Sequence, residues 1–229
     1  THSPSGWRLT GTKHWISAGP SATHFVVLAS HDETLAWVIC PCDAPGSTRE
    51  VFPTHDGRGG ATCAFDTTVD ERQILFSGAD AETALDAYRE LAMTLSSAET
   101  LGAAHAALNT TVDYTKQRVQ FGQPLASFQA LQHRMANMLI QIELTRSLVY
   151  AACDAADSDT PDRSRFARAA KVKASTVGRK VSQEAIQLHG GIATTDEYIV
   201  GHFFKRIAAL ESWVCSRGEA LREFMAISG

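Results

Sequence analysis

The sequence predicts an α+β protein in which a small antiparallel β domain precedes an antiparallel four-helix bundle. Over the first third, short β-rich runs alternate with turns rich in glycine, proline and aspartate, a pattern typical of antiparallel strands. From about residue 80 onward, apolar residues recur at helical spacing, and the connections between the helical segments are short, which favours antiparallel neighbours. The change of pattern places the domain boundary after residue 77, so the predicted domains are 1–77 and 78–229.

The β domain is predicted from runs of β-branched and aromatic residues. Residues 7–10 and 13–17 indicate two strands around a tight turn at Gly11. A polar turn at 30–33 separates the next two runs. The further strands are expected at residues 25–29, 35–39, 62–65 and 72–76, which together would close a small sheet or barrel.

The helices are delimited by residues that stop or start them. Gly122 and Pro124 separate the first helix from the second. Thr160-Pro161 has the pattern of an N-cap followed by proline at the first helical position, so a third helix is expected to begin there. The four helices are expected from Asp80 to about Gln117, from Phe128 to Asp157–Asp159, from Thr160 to Gly190-Gly191, and over about 201–225.

Composition excludes several classes of protein. A formal net charge of −4 with 44% hydrophobic residues is ordinary for a globular protein and argues against a nucleic-acid surface. Basic residues between Arg163 and Lys180 recur at helical spacing among alanines, which is typical of a solvated helix face, with an anion or partner surface as the alternative. No apolar run approaches the length of a membrane span, and no signal peptide is visible.

Cysteine and histidine usage predicts a reduced, cytoplasmic protein without a metal site. The five cysteines have no disulfide-framework spacing. Cys40-Pro-Cys42 brings two thiols together, but no second pair completes a metal site. The chain opens with Thr1 and leads at once into a strand, without an initiating methionine. This start indicates either a processed fragment or a loss of sequence upstream.

The most informative stretch is the helix break within residues 118–138. Arg118 and Gln129 lie either side of the break, with Phe121 between them. A plain turn requires glycine and proline, but it does not require a guanidinium and an amide at one corner. Further along, residues 187–191 place another amide beside two glycines. Together these two corners indicate a site for a planar ligand that carries phosphate.

Four sequence motifs, in this order, resemble the central and C-terminal domains of the acyl-CoA dehydrogenase flavoproteins. They are GWRLTGTKHWISAG (6–19), GRGGATCAFD (57–66), RVQFGQPLASFQALQHRMANM (118–138) and QLHGGIATTDEY (187–198). The resemblance covers essentially the whole chain, but the family's N-terminal helical domain has no counterpart here. It implies FAD as cofactor and an acyl-CoA as substrate, in a homo- or hetero-oligomer (dimer or tetramer) assembled through the helical domain.

The resemblance also implies roles for residues on the β domain and at the helix break. Trp15 would stack near the isoalloxazine ring, and Ser17 would donate a hydrogen bond to its polar edge. Arg118 would pair with the pyrophosphate of a neighbouring subunit's FAD, and Phe121 would pack on that cofactor. Other interpretations stay open, with Trp15 in the core of the sheet and Arg118 as a helix C-terminal cation.

The remaining cofactor contacts implied by the resemblance come from amides and bare backbone. Gln129 and Gln187 would hydrogen-bond to the pyrophosphate or adenosine part of FAD. Gly190 and Gly191 would let the backbone approach the cofactor closely, although the glycines are equally typical of a helix C-cap.

The family's reaction is α,β-dehydrogenation, in which a carboxylate removes the α-proton while the β-hydride passes to the flavin. Here the position of that carboxylate falls on Val214, which cannot accept a proton. The alternative position used by some relatives falls on Ala92, and the arginine that follows it falls on Met93. The resemblance therefore implies cofactor-binding residues but no catalytic residue.

Three functions remain open from the sequence. The chain is expected to be a subunit or fragment that lacks its own base and completes a partner's FAD site. The alternatives are a flavin-dependent monooxygenase on the same fold, which needs no α-proton base, and a non-catalytic structural subunit without flavin. Glu211, one helical turn before Val214, is a weak candidate for a displaced base. Glu99 is either a buried polar partner within the bundle or a substrate contact.

Overall fold

A computed structural model describes residues 2–3, 6–158 and 160–228. The chain divides into two compact units, residues 1–88 and 89–229. Small antiparallel sheets come first along the chain and five helices follow, so the predicted α+β class is confirmed. The exact boundary predicted after residue 77 stays a prediction.

The first unit contains two antiparallel sheets, with strand orders β1-β2-β6-β5 and β3-β4-β7. Apolar side chains from both sheets form its core, including Leu9, Phe25, Val38 and Phe65. Two described strands of this unit, β1 and β5, have no counterpart in the sequence prediction. The strands are β1 (His2–Ser3), β2 (Gly6–Ile16), β3 (His24–His31), β4 (Thr34–Pro41), β5 (Thr48–Phe52), β6 (Gly60–Val69) and β7 (Ile74–Ser77).

The predicted turn at Gly11 is wrong, because β2 runs through it as one strand. Gly11 lies opposite Phe65 of β6, and the flanking Thr10 and Thr12 are also paired with that strand. Its φ of 137° is open to glycine but not to ordinary side chains. Gly11 therefore lies within the strand, in a backbone conformation that favours glycine. The irregularity in β2 comes later, as a bulge between Lys13 and Ile16.

The predicted polar turn between the third and fourth strands is confirmed. Asp32 and Glu33 form a two-residue loop in which both residues have positive φ, 46° and 64°, and His31 pairs with Thr34 across it. Such loops match the right-handed twist of the strands they join.

The second part of the chain is helical. No helix within the described ranges is long and apolar enough to cross a membrane. A two-strand hairpin of β8 (Val119–Gln120) and β9 (Gln123–Pro124) separates the first two helices. The helices are α1 (Ala79–Gln117), α2 (Gln129–Asp157), α3 (Arg163–His189), α4 (Ile199–Ser212) and α5 (Arg217–Ser228).

Two predicted helix boundaries are corrected by the structure. Thr160 does not cap α3; its carbonyl accepts a hydrogen bond from the Arg163 N–H at 3.0 Å in a turn that precedes the helix. The predicted fourth helix over 201–225 is two helices. Its break is fixed by a capping box, since the Ser216 N–H donates to Glu219 at 2.7 Å and the Glu219 N–H donates to the Ser216 hydroxyl at 3.2 Å.

Helix α3 packs so closely against its neighbours that one position requires glycine. A Cβ added at Gly178 would lie 2.5 Å from Thr100 Cγ2 of α1 and 3.1 Å from Ile207 Cγ2 of α4. Both distances are shorter than van der Waals contact. The surrounding core is built mainly from small and branched residues, including Ala104, Ile142 and Val181.

We expect Gly178→Ala to lower the free energy of unfolding by about 1–3 kcal/mol, because the added methyl overpacks the contact between three helices. Gly102→Ala is the matched control. A Cβ at Gly102 in α1 would meet nothing within 4 Å, so alanine should stabilise the helix by about 0.5–1 kcal/mol. Urea denaturation of both variants measures the difference. Equal effects of the two substitutions would contradict the close packing at residue 178.

Candidate functional site

The predicted corner at Arg118 is a tight hairpin that follows α1. The Arg118 N–H donates to the Tyr114 carbonyl at 2.8 Å, and the Arg118 carbonyl accepts from the Leu125 N–H at 2.8 Å. Between these bonds, Phe121 and Gly122 form a two-residue loop with positive φ values of 55° and 80°. The loop holds the Phe121 ring outward, with 90% of its surface exposed.

The polar side chains of this corner are available to a ligand. Arg118 and Gln129 are both exposed, and the Arg118 guanidinium has no hydrogen-bond or ion-pair partner within the described ranges. Gln129 is the first residue of α2. A guanidinium, an amide and an exposed aromatic ring on one corner suit a ligand with both a phosphate and a planar group.

The second predicted corner is the turn that ends α3. Gly190 is the C-cap of that helix, with a φ of 70°, and its N–H donates to the Ile186 carbonyl. A helix C-cap role for Gly190 is therefore confirmed. Gln187 and Gly191 are exposed, and a Cβ added at either glycine would meet nothing within 4 Å. The backbone here is open to a ligand, and the ligand-binding role of these residues stays a prediction.

An aromatic cluster joins these two corners at one end of the helical unit. The ring of Tyr114, one turn before Arg118, stacks on the ring of His189 with centroids 4.4 Å apart. The Tyr114 hydroxyl also donates to the His189 carbonyl at 3.2 Å. Tyr198, just before α4, contacts both rings, at 6.1 Å from Tyr114 and 5.1 Å from His189. The structure thus brings Arg118 and Gln187 to the same end of α1 and α3.

On the first unit, the two predicted flavin-facing residues lie at the end of β2. Trp15 has a φ of 58° within the bulge, and its ring is 75% exposed, with an edge contact to Phe52 at 5.1 Å. The alternative that places Trp15 in the core of the sheet is therefore wrong. Ser17 follows the strand and is exposed.

No carboxylate occupies the positions at which the resemblance places a base. Val214 packs against a buried apolar cluster that includes Met93 and Cys215, and Ala92 is buried as well. Val214 also has a φ of 70°, which a β-branched residue adopts only when its surroundings force it to. The segment between α4 and α5 is therefore apolar and strained.

The two weak candidate carboxylates are both held by arginines. Glu99 accepts two hydrogen bonds from Arg206 of α4, both at 2.8 Å. Glu211 accepts from Arg179 of α3, with the Nε bond at 2.9 Å. The interpretation of Glu99 as a polar partner between helices fits this geometry.

Sequence reasoning missed Lys171, which lies beside the strained segment. Its side chain is only 1% exposed, so the prediction of a solvated face over 163–180 is wrong at this position. The Lys171 Nζ donates to the carbonyls of Leu210 at 2.6 Å and Trp213 at 3.0 Å. The lysine thereby provides hydrogen bonds at the end of α4, where the last carbonyls of an α-helix generally lack partners within the helix. Burial lowers the pKa of Lys171.

Comparison with known proteins identifies the family. Residues 81–214 match the sequence profile described as acyl-CoA dehydrogenase, C-terminal domain. That match covers more than half of the chain, so the chain belongs to the acyl-CoA dehydrogenase family. FAD is the cofactor of this family.

Individual relatives agree with this assignment. Acyl-CoA dehydrogenase IpdE2 of Mycobacterium tuberculosis is 43% identical over 133 residues, which are 58% of this chain and 40% of that protein. The 3-sulfinopropanoyl-CoA desulfinase of Paraburkholderia xenovorans is 35% identical over 205 residues, 81% of this chain and 50% of that protein. Butyryl-CoA dehydrogenase of Megasphaera elsdenii has a TM-score of 0.91 at 27% identity, covering 99% of this chain and 61% of that one. The chain thus spans about half the length of the curated relatives it matches.

The buried lysine predicts a pH dependence of stability. Burial lowers the pKa of Lys171 in the folded state, so the unfolded chain binds more protons in the window between that lowered pKa and the ordinary value of 10.5. The free energy of unfolding therefore gains a contribution from Lys171 as pH rises through this window, by at most about 1.4 kcal/mol per pH unit.

We expect Lys171→Met to remove this contribution, so the difference in stability between wild type and variant should grow with pH across that window. Lys180→Met, at an exposed lysine of the same helix, is the control and should show a constant difference. Chemical denaturation at a series of pH values measures both. A pH-independent difference for Lys171→Met would contradict the buried position.

Proposed function

We propose that this chain is a subunit or fragment of an acyl-CoA dehydrogenase assembly that lacks its own catalytic base and completes the FAD site of a partner subunit. One contrast carries the proposal. The corner built by Arg118, Phe121 and Gln129 is exposed and held by backbone hydrogen bonds, whereas the expected base position, Val214, packs in an apolar cluster.

The donor set at the helical end fits the phosphate-bearing part of FAD. Arg118 would bind the pyrophosphate through its two-pronged guanidinium, and the exposed Phe121 ring would cover the cofactor's planar part. Gln129 and Gln187 would donate amide hydrogen bonds, and Gly190 would leave its backbone accessible. These contacts bind and orient the cofactor without taking part in proton transfer.

On the first unit, Trp15 and Ser17 would serve the flavin ring itself. The Trp15 indole, exposed beside the bulge, offers a flat apolar surface, and the Ser17 hydroxyl offers one hydrogen-bond donor. When bound, FAD supplies a hydride acceptor for the family's reaction. These two residues would orient the ring and exclude water from one side of it.

Removal of an α-proton requires a basic group within hydrogen-bond reach of the substrate. Val214 and Ala92 offer none, and the carboxylates of Glu99 and Glu211 each accept hydrogen bonds from an arginine. The proton acceptor for an acyl-CoA substrate would therefore come from the partner subunit. Because cofactor binding and proton removal would lie on different subunits, the chain would act within an assembly rather than alone.

A second candidate is chemistry on an acyl-CoA other than dehydrogenation. The match over 81% of this chain to a protein named 3-sulfinopropanoyl-CoA desulfinase favours it, because that name describes removal of a sulfinate group. The apolar side chain of Val214 is compatible with such a reaction. An acyl-CoA that is converted without bleaching the flavin would favour this candidate over the first.

The absorbance spectrum of the purified chain tests the proposal, recorded alone, with FAD, and as the assembly isolated through a tag on this chain. A flavin band that appears only in the assembly, and that an acyl-CoA bleaches, is the expected result. Bleaching of the chain's own flavin without a partner would show that a base exists within the chain. A colourless assembly that takes up no FAD would overturn the proposal.

Replacement of the corner arginine should weaken FAD binding. Arg118→Ala removes a charge-assisted hydrogen bond to phosphate, so FAD should dissociate from the assembly about 10- to 100-fold more readily. Lys116→Ala is the control, because Lys116 lies two residues away and faces Asp113 at 3.7 Å. Equilibrium dialysis of FAD measures both, and equal losses from the two variants would contradict a specific role for Arg118.

Neither candidate carboxylate of this chain should be required for reduction of the assembly's flavin. Glu211→Gln and Glu99→Gln keep the size of each side chain but remove its basicity. In both variants, we expect the rate at which an acyl-CoA reduces the assembly's flavin to stay within about threefold of the wild-type rate. Removal of a general base would instead lower that rate by about 100-fold or more. Stopped-flow bleaching of the flavin measures the rate, and a loss of that size would identify the missing base.

A further inference from the structure

The aromatic cluster at the ligand end contains a histidine with an unusual environment. His189 is 4% exposed and lies between the ring of Tyr114 from α1 and the ring of Tyr198 at the start of α4. It is the last residue of α3 and immediately precedes Gly190. The His189 ring therefore connects the end of α1, just before Arg118, to the residue that precedes the Gly190–Gly191 turn.

The hydrogen bonds of His189 specify its neutral form. Its Nδ1 lies 2.8 Å from the Ala185 carbonyl, which can only accept, so Nδ1 carries the proton. Its Nε2 is buried and has no hydrogen-bond partner within the described ranges. Protonation at Nε2 would create a buried donor without an acceptor and a buried charge without a counter-ion, and both are costly.

Within the part of the chain that the structure describes, no charged group stabilises a protonated His189 ring. The titratable groups that face the ring are Tyr114 and Tyr198, and burial raises the pKa of the Tyr198 phenol, so it remains neutral. Burial lowers the pKa of His189 itself, only partly offset by the bond to Ala185. Since the ring resists protonation only while it is buried, acidification favours states in which it has left the cluster.

Departure of the ring would separate the two corners. Tyr114 is hydrogen-bonded through its carbonyl to the Arg118 N–H at 2.8 Å and through its hydroxyl to the His189 carbonyl at 3.2 Å. The first bond fixes Arg118 to the end of α1, and the second, together with the stacked rings, joins that end to the end of α3. Without the second bond and the stacked rings, the remaining described contacts between α1 and α3 lie further along the helices, in apolar packing and in the ion pairs of Glu90 with two arginines of α3.

We propose that His189 is a positioning residue that keeps the Arg118 corner and the Gly190–Gly191 turn in register only while its ring is neutral, which makes the ligand end of the helical unit sensitive to pH. The identification of the ligand as FAD rests on the proposed function. The coupling between the two corners lies within this chain and can be measured without any ligand.

Amide hydrogen exchange of the chain without FAD tests the coupling, with protection factors followed at Arg118 and Gly190 as pH is lowered from about 7.5 to about 5. In wild type, protection at both amides should fall together, approaching about tenfold for each pH unit below the ordinary histidine value of 6.5. In His189→Phe, which keeps an aromatic ring that cannot be protonated, protection should not change over this range.

A matched histidine provides the control. His202 of α4 lies at the same end and its Nε2 is 2.8 Å from the Asp196 carbonyl, so His202→Gln should retain the wild-type response to pH. Wild-type protection that stays constant, or that falls equally in His189→Phe, would overturn the proposal.

The same variants separate this inference from the proposed function. As pH is lowered, the FAD affinity of the assembly should decrease in wild type and should decrease less steeply in His189→Phe. If the exchange response is present but no FAD binds under any condition, the proposed function fails while the coupling through His189 stands. Equal pH dependence of FAD binding in both forms would overturn the link between His189 and the ligand.

Discussion

The close packing of α3 against the other helices is the constraint on which the helical unit depends. Gly178 brings the backbone of α3 within contact of Thr100 and Ile207. Because no side chain intervenes there, α1 and α4 approach α3 closely at this position. Lys171, in the N-terminal half of α3, donates hydrogen bonds to the last carbonyls of α4, and His189 at the C-terminal end of α3 stacks on Tyr114.

Helical periodicity predicts α1 and α2 well because the spacing of apolar residues is a local property of the chain. The prediction of two strands within β2 is wrong because Gly11 is typical of a turn, and only its pairing with Phe65 shows that it belongs to a strand interior. The break between α4 and α5 was missed although Ser216 and Glu219 form the S-x-x-E pattern of a capping box. That signal was present in the sequence.

Other features of the site could not be predicted from sequence spacing. The basic residues of α3 recur like those of a solvated face, and nothing local distinguishes Lys171 from Lys180. Lys171 is buried because α4 ends beside it and offers two carbonyls as acceptors. His189 likewise becomes a link between helices only through tertiary contact with Tyr114. The sequence pattern therefore predicts the residues of the Arg118 corner, but it does not predict that Lys171 and His189 are buried between helices.

The surroundings of Lys171 and of His189, both on α3, differ in polarity, and the distance between the two residues limits which groups can act together. Lys171 lies near the apolar segment around Val214, and His189 lies at the polar corners, so at 1.5 Å per residue they are roughly 27 Å apart along the helix. Groups so far apart cannot act on the same reacting atoms. Under the proposed function, the corners would hold a part of the cofactor remote from the reaction, or a different cofactor molecule. Since the segment around Val214 offers no base, the proposed sharing of a site with a second subunit would account for both the exposed polar corners and the absence of a carboxylate at residue 214.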